Sequence, residues 1–331
     1  MKSLKLGNTG LTVTPLGLGL AALGRPAYIN LGHAEDLHHN YDRDEMEAGA
    51  HAVLDAAWQA GIRYFDAARS YGLAEAFLGS WLRSRQISPK EVAVGSKWGY
   101  TYTAGWKVDA PVNEVKEHSL AVLGRQRQES DATLDGYLGL YQVHSATLES
   151  GILENRAVLE ELMGYRVKGL AIGLTVSGPE QAETVERAVQ VVVHGRPLFQ
   201  CVQVTWNLLE PSAGNVLKAA HQIGMGVIVK EALANGLLTG KNDAPDYAPK
   251  LATLKNTAAQ HGTTPEALAL AAALAQPWAD VVLSGAATSG QLISNVAALE
   301  VTWDDELAAT LSGLAEAPAV YWAKRSLLPW N

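Results

Sequence analysis

Residues 63–72 read RYFDAARSYG. A short β-prone piece, Arg63-Tyr64-Phe65, runs into an abrupt polar loop that carries Asp66, Arg69 and Tyr71. Two later segments repeat this design: Val92–Lys97 (VAVGSK) ends on Lys97, and Gly136–His144 (GYLGLYQVH) ends on His144. If these strands lie parallel and side by side, Asp66, Tyr71, Lys97 and His144 converge at the carboxyl edge of the sheet, where barrel enzymes place their chemistry.

Outward from these strands, β-prone and helical segments alternate, the signature of parallel β/α units. Strands are expected at Pro15–Leu20, Arg63–Phe65, Val92–Ser96, Gly136–Val143, Val167–Leu174, Phe199–Val204, Met225–Val229 and Val281–Ser284. Helices are expected at Asp44–Ala60, Leu73–Arg85, Val112–Arg127, Leu153–Tyr165, Pro179–Val193, Pro211–Ile223, Thr264–Ala275 and Ser289–Leu299. No low-complexity linker interrupts the series. The pattern predicts an α/β chain forming a (β/α)8 TIM barrel, a single domain over residues 1–331, with an added C-terminal helix at Asp304–Leu314 and an aromatic tail, YWAKRSLLPWN. Leu4–Leu6 and Leu11–Val13, around Gly7-Asn8-Thr9-Gly10, read as an N-terminal β-hairpin. Gly17, Gly19 and Ala22 meet the loose glycine pattern of a dinucleotide-binding turn. That pattern needs a helix immediately afterwards, whereas Gly24, Pro26 and an irregular polar stretch follow.

A chain of 331 residues, 48% hydrophobic and 18% charged, has enough apolar content for one large core. The net charge of -8 disfavours nucleic acid and anionic membranes as partners, since both need basic patches. No window approaches the roughly 20 apolar residues of a membrane span, and MKSLKLGNTG lacks an apolar leader core, so the expected location is cytoplasmic. The single cysteine, Cys201, excludes an internal disulfide and reads as a buried inert thiol.

The stretch Arg25–Arg43, RPAYINLGHAEDLHHNYDR, has no clean period and is long for a connection inside a barrel. Loops of this length are usually functional or disordered, and this one would lie over the active-site face as a lid. Its His33, His38, His39, Asp36 and Asp42 lack the ordered spacing of zinc ligands, so it reads as a solvated loop and no metal is expected.

DAARSYG, the strand-end lysine in GSKWGY and the strand-end histidine in YQVHSAT resemble the catalytic tetrad of the aldo-keto reductases, and the resemblance extends from Leu4 to about Leu299. Taken singly, Asp66 could cap a loop, Lys97 could face solvent and His144 could be a core histidine. Together, in the family's order, they imply catalysis. The resemblance implies NAD(P)H-dependent reduction of an aldehyde or ketone to an alcohol, with Tyr71 as general acid, Lys97 and Asp66 tuning it, and His144 positioning a small-molecule carbonyl substrate. A phenol has a pKa of about 10, so the expectation is that the Lys97 ammonium stabilises the phenolate. A second reading is a nicotinamide-binding regulatory or sensor protein with weak or no turnover.

The resemblance also implies cofactor contacts. Gly19, Leu20 and Ala21 stand at the first-strand turn, and Asp66 at the second strand end. Thr175 stands where the family has serine, and Gln203 where a glutamine holds the carboxamide. After the seventh strand Lys230, Glu231 and Leu233 replace an aromatic-Ser-Pro-Leu run whose aromatic stacks on the nicotinamide, with Trp206 or a loop aromatic as the alternative stacking group. SGAATSGQLISNVAAL resembles the phosphate and adenine segment, with Gly285, Gln291 and Asn295. Helix-start amides suit a 2′-phosphate, but no arginine stands there, so NADP(H) is favoured over NAD(H) only by that turn. Tyr28, Trp98, Tyr100, Tyr102, Trp106, Trp322 and Trp330 are expected on top-face loops or the tail as substrate walls.

Overall fold

A strand covered on both faces reads as a continuous apolar run. AIGLTV at Ala171–Val176 and CVQVT at Cys201–Thr205 are of this kind and are buried at every position. In the computed structural model, which describes residues Met1–Asn331, eight parallel strands close into a barrel. They are β1 Leu16–Gly19, β2 Tyr64–Asp66, β3 Ala93–Trp98, β4 Leu138–Ala146, β5 Ala171–Val176, β6 Cys201–Thr205, β7 Gly226–Lys230 and β8 Val281–Ser284. Each pairs with the next, and the ring closes where Val282, Leu283 and Ser284 register with Leu16, Gly17 and Leu18. The fold is thus the expected (β/α)8 TIM barrel.

The expected hairpin is present, with Leu4–Lys5 antiparallel to Thr12–Val13. It plugs the barrel floor: Leu6 and Val13 are fully buried in a cluster with Tyr64, Leu140, Cys201 and Ile228 from inside the barrel. With its floor plugged, the barrel's cavity opens at the carboxyl ends of the strands.

The outer layer comprises α1 Arg43–Gln59, α2 Ala74–Ser84, α3 Leu120–Leu134, α4 Arg156–Val167, α5 Gln181–Val189, α6 Gly214–Gln222, α7 Ala248–Gln260, α8 Pro265–Leu274 and α9 Ser289–Val296. Two further helices follow, α10 Asp305–Ser312 and α11 Pro318–Ser326. The first helix starts where Asp42 accepts from the amides of Asp44 and Glu45, and it buries Met46, Ala50, Val53, Leu54 and Ala57 at helical spacing. Asp304 caps the added C-terminal helix in the same way.

Several boundaries differ from the sequence expectation. The helix expected from Val112 starts at Leu120, because Glu114–Lys116 pairs antiparallel with Tyr100–Tyr102 and Ser119 then supplies the cap. The helix expected to reach Val193 stops at Val189, and Val192–Val193 turns back onto Arg196–Pro197 through His194 and Gly195, both at positive φ. The tail contains a helix, α11, with Pro318 at its first position. α7 was not anticipated; its apolar side is only Leu251, Leu254 and Ala258. No helix is long and apolar enough to cross a membrane.

The stretch Arg25–Arg43 contains one helical turn, His33–Asp36, and is tied down rather than loose. Tyr28 and Asn331 exchange backbone hydrogen bonds of 3.0 and 3.2 Å, and Asn331 Oδ1 accepts from the His33 amide at 3.1 Å. His33, expected in solvent, is fully buried, and burial pulls its imidazole down to about 4.

Candidate active site

Strand register decides which side chains meet. In a parallel sheet paired residues point to the same face, as do residues two apart on one strand. Asp66 registers with Gly95, so Lys97, two residues on, shares its face. Lys97 registers with Gln142, which puts His144 on that face as well. The sequence-predicted tetrad therefore converges inside the top of the barrel. Gly95 leaves the room for it, since a Cβ there would fall 2.5 Å from the Tyr64 hydroxyl.

Asp66 is the hub. Lys97 donates to its Oδ1 and, at 3.0 Å, to the Ala67 carbonyl. Its Oδ2 accepts from Tyr64 Oη at 3.0 Å, Gln142 Nε2 at 3.2 Å and Gln203 Nε2 at 3.0 Å. Lys97 and Asp66 are 1% exposed each, so this ion pair is desolvated and held by further hydrogen bonds. Burial lowers the Lys97 ammonium, against the pull of Asp66.

Tyr71 lies across this pair, with Lys97 Nζ 4.8 Å from its ring centroid. The expected depression of its phenol is not found. Burial, and then the Asp66 charge, push it upward, because the Lys97 charge is already matched by Asp66. Tyr71 is held as a neutral phenol. The His144 ring meets Tyr71 edge-on at 5.5 Å, and its Nδ1 lies 3.4 Å from Ser70 Oγ. Burial and the cations Lys97, Arg25 and Lys230 hold His144 well below its usual range, so it is neutral too.

These groups open onto a cavity of about 650 Å³, within the usual range for a small-molecule or cofactor site. Among the predicted cofactor contacts, Gly19, Ala21, Asp66, Gln203, Lys230, Glu231, Leu233, Gly285, Gln291 and Asn295 line it. Leu20 does not, because it is fully buried in the apolar cluster around Leu18 and Phe65. Thr175 does not either: its hydroxyl accepts from the Ser145 amide at 2.7 Å, and Ser145 and Ser177 reach the cavity instead. Gly285 has open space where a Cβ would stand, and Thr288 caps α9 beside it. A cavity lined by amide and hydroxyl groups and by a helix start fits a nicotinamide dinucleotide.

Tyr28, Tyr100 and Trp330 line the cavity as expected. Trp98 is fully buried on β3, and Trp206 packs against Trp278 at 5.8 Å, away from the cavity, so neither serves it. Five charged groups were missed: Arg25, Glu114, Lys241, Glu266 and Arg325. Only the tertiary fold brings them together. Lys241 pairs with Asp36, and Glu266, also at the cavity, accepts from the Gly240 amide at 2.8 Å.

At the end of β7, Lys230 Nζ donates to Thr205 Oγ1 at 2.7 Å and stands 3.7 Å from Glu231 Oε1. Arg325 of α11 holds the Glu231 carboxylate through both oxygens, with Nε to Oε2 at 2.9 Å. Burial lowers Lys230 to about 8, and the Arg325 and Lys230 charges outweigh burial to hold Glu231 down at about 2. No cluster of His, Cys, Asp and Glu that could hold a metal is present.

The parallel barrel thus gathers lysine, aspartate, tyrosine and histidine at its carboxyl end. Residues 15–316 match the Aldo/keto reductase family, and the chain belongs to that family. It is 27% identical over 348 residues to the NADH-specific methylglyoxal reductase of Escherichia coli (strain K12), covering 96% of this chain and 99% of that one. It is 25% identical over 329 residues to the L-glyceraldehyde 3-phosphate reductase of the same strain, covering 88% and 86%. The holo form of an aldo-keto reductase from Bacillus halodurans shares the fold, with a TM-score of 0.72, 24% identity and coverage of 96% and 97%. The chain is thus an oxidoreductase of a family that uses nicotinamide cofactors and small-molecule carbonyl substrates.

Proposed function

We propose that this protein reduces an aldehyde or ketone to the alcohol, with Tyr71 as general acid. The observation that carries this reading is the half-buried Tyr71 on the cavity wall, flanked by the Lys97–Asp66 pair and the ring of His144. A neutral phenol can donate both a hydrogen bond and a proton to a carbonyl oxygen as negative charge develops there. Of the neighbouring charges it is Arg25 that favours the phenolate left behind, while Lys97, 4.8 Å from the ring centroid, is held in place by Asp66 and keeps that carboxylate's charge matched. His144 presents a donor to the same oxygen and fixes the direction of approach. Gln203, Ser145 and Ser177 bind the carboxamide end of the cofactor, and Gly285, Gln291 and Asn295 its phosphate and adenine end. The cofactor, when bound, supplies the hydride.

NADP(H) is favoured over NAD(H) in this reading, supported by the α9 start and by Lys241 on the cavity wall. One observation favours NAD(H) instead, namely that the Lys241 ammonium is already held by Asp36. Oxidation of NADPH and of NADH, each with a panel of aldehydes, tests both parts. A larger kcat/KM with NADPH supports the assignment, and a larger one with NADH reverses it. Cofactor binding without turnover of any carbonyl would favour the sensor reading.

A further inference from the structure

Arg25 is buried beside the proton donor, and the reduction step makes no use of its hydrogen-bond donors. Its side chain is 3% exposed. Nη1 donates to the Ser70 carbonyl at 3.1 Å and to Glu114 Oε2 at 3.0 Å, while the buried Nε has no partner. The guanidinium lies over three rings, with its carbon 5.1 Å from the centroid of Tyr71, 5.0 Å from Tyr28 and 4.8 Å from Trp330. Glu114 comes from the short ribbon over the barrel mouth, and both charged groups line the cavity that Tyr71 faces. A desolvated guanidinium with an unmet donor is costly to a fold, and such exceptions gather where ligands bind.

We propose that Arg25 and Glu114 form a donor–acceptor clamp that selects carbonyl substrates bearing a hydroxyl on the carbon next to the carbonyl. This rests on the reductase reading above. A hydroxyl both accepts and donates, so it can take a hydrogen bond from Arg25 and give one to Glu114. An unsubstituted alkyl aldehyde offers neither and leaves both charged groups without a ligand partner in a site from which it has displaced water. A 2-oxo acid satisfies Arg25 but brings its carboxylate against Glu114. Tyr28 and Trp330 cover the apolar C–H side of the substrate, as aromatic walls do for hydroxylated ligands.

The test compares three two-carbon substrates, acetaldehyde, glycolaldehyde and glyoxylate, in wild type, Arg25→Gln and Glu114→Gln, reading kcat/KM from cofactor oxidation. Because a neighbouring hydroxyl also activates the carbonyl chemically, the readout is how the substrate ratios change between proteins. Arg25→Gln is expected to lower the glycolaldehyde-to-acetaldehyde ratio about tenfold or more. Glu114→Gln, which keeps shape and removes charge, is expected to raise the glyoxylate-to-glycolaldehyde ratio about tenfold or more. A merely structural pair would scale all three substrates alike. Unchanged ratios with acetaldehyde still reduced would overturn the clamp and leave the reductase reading intact. Absence of any carbonyl reduction by wild type would remove both. Should Arg25→Gln fail to fold, Glu114→Gln, on the surface ribbon, decides alone.

Discussion

Glu231 Oε1 lies 3.7 Å from the Lys230 ammonium at the end of β7, while Arg325 holds the same carboxylate from α11. Two cations share one anion, so the group carries net positive charge at neutral pH.

Lys230 lines the cavity proposed for the nicotinamide, and the oxidised ring is positively charged. Two unit charges about 4 Å apart at an effective dielectric of about 20 interact by about 4 kcal/mol. Glu231, shared with Arg325, offsets part of this, leaving at least about 1 kcal/mol, roughly fivefold in affinity. Lys230 is lowered to about 8, chiefly by burial, so its charge disappears as pH rises through that value. Affinity for oxidised cofactor should therefore strengthen between pH 7 and 9, while affinity for reduced cofactor stays level. Lys230→Met should remove the pH dependence. Tryptophan quenching titrations measure it, and a pH dependence that survives in the variant would mean Lys230 is not its source.

Arg325→Met would leave Glu231 with Lys230 and Thr205 as its remaining partners and free the last helix from the barrel mouth. The pair is only partly buried and Lys230 remains beside Glu231, so the cost lies between that of an exposed and that of a buried pair, about 1–2 kcal/mol. Urea unfolding should show a loss of that order, together with weaker cofactor binding, since Arg325 and Trp330 both border the cavity. A variant as stable as wild type would place the Glu231 charge in the care of Lys230 alone.

The barrel was legible because β/α alternation and doubly buried apolar strands both leave marks in sequence, as in AIGLTV and CVQVT. Asp66, Tyr71, Lys97 and His144 were legible because each ends or follows a strand, so their convergence follows from register. Arg25, Glu114 and Arg325 were not. Each is an ordinary charged residue in an irregular loop, a segment read as helix, or a tail, and what gathers them is the folding of three distant segments over one opening. The strand face of Thr175 gives no sign in sequence that the Ser145 amide donates to its hydroxyl.

Arg25–Arg43 and the C-terminal residues close over the cavity as a joined strap through the Tyr28–Asn331 backbone pair. Cofactor beneath it should slow amide exchange in both segments together, because opening either requires breaking their shared hydrogen bonds. Hydrogen exchange with and without saturating cofactor reads this out. Protection confined to one segment would show that they move independently.

Proton donation by Tyr71 carries the proposed reduction. Tyr71→Phe keeps the ring against His144 and Lys97 and deletes only the hydroxyl. With reduced cofactor and a reducible aldehyde, kcat should fall about 10²–10⁴-fold, the usual contribution of a general acid, while the dissociation constant for the cofactor stays within about twofold of wild type. Turnover by Tyr71→Phe close to that of wild type would mean that another group delivers the proton, and the mechanism drawn from this site would be wrong.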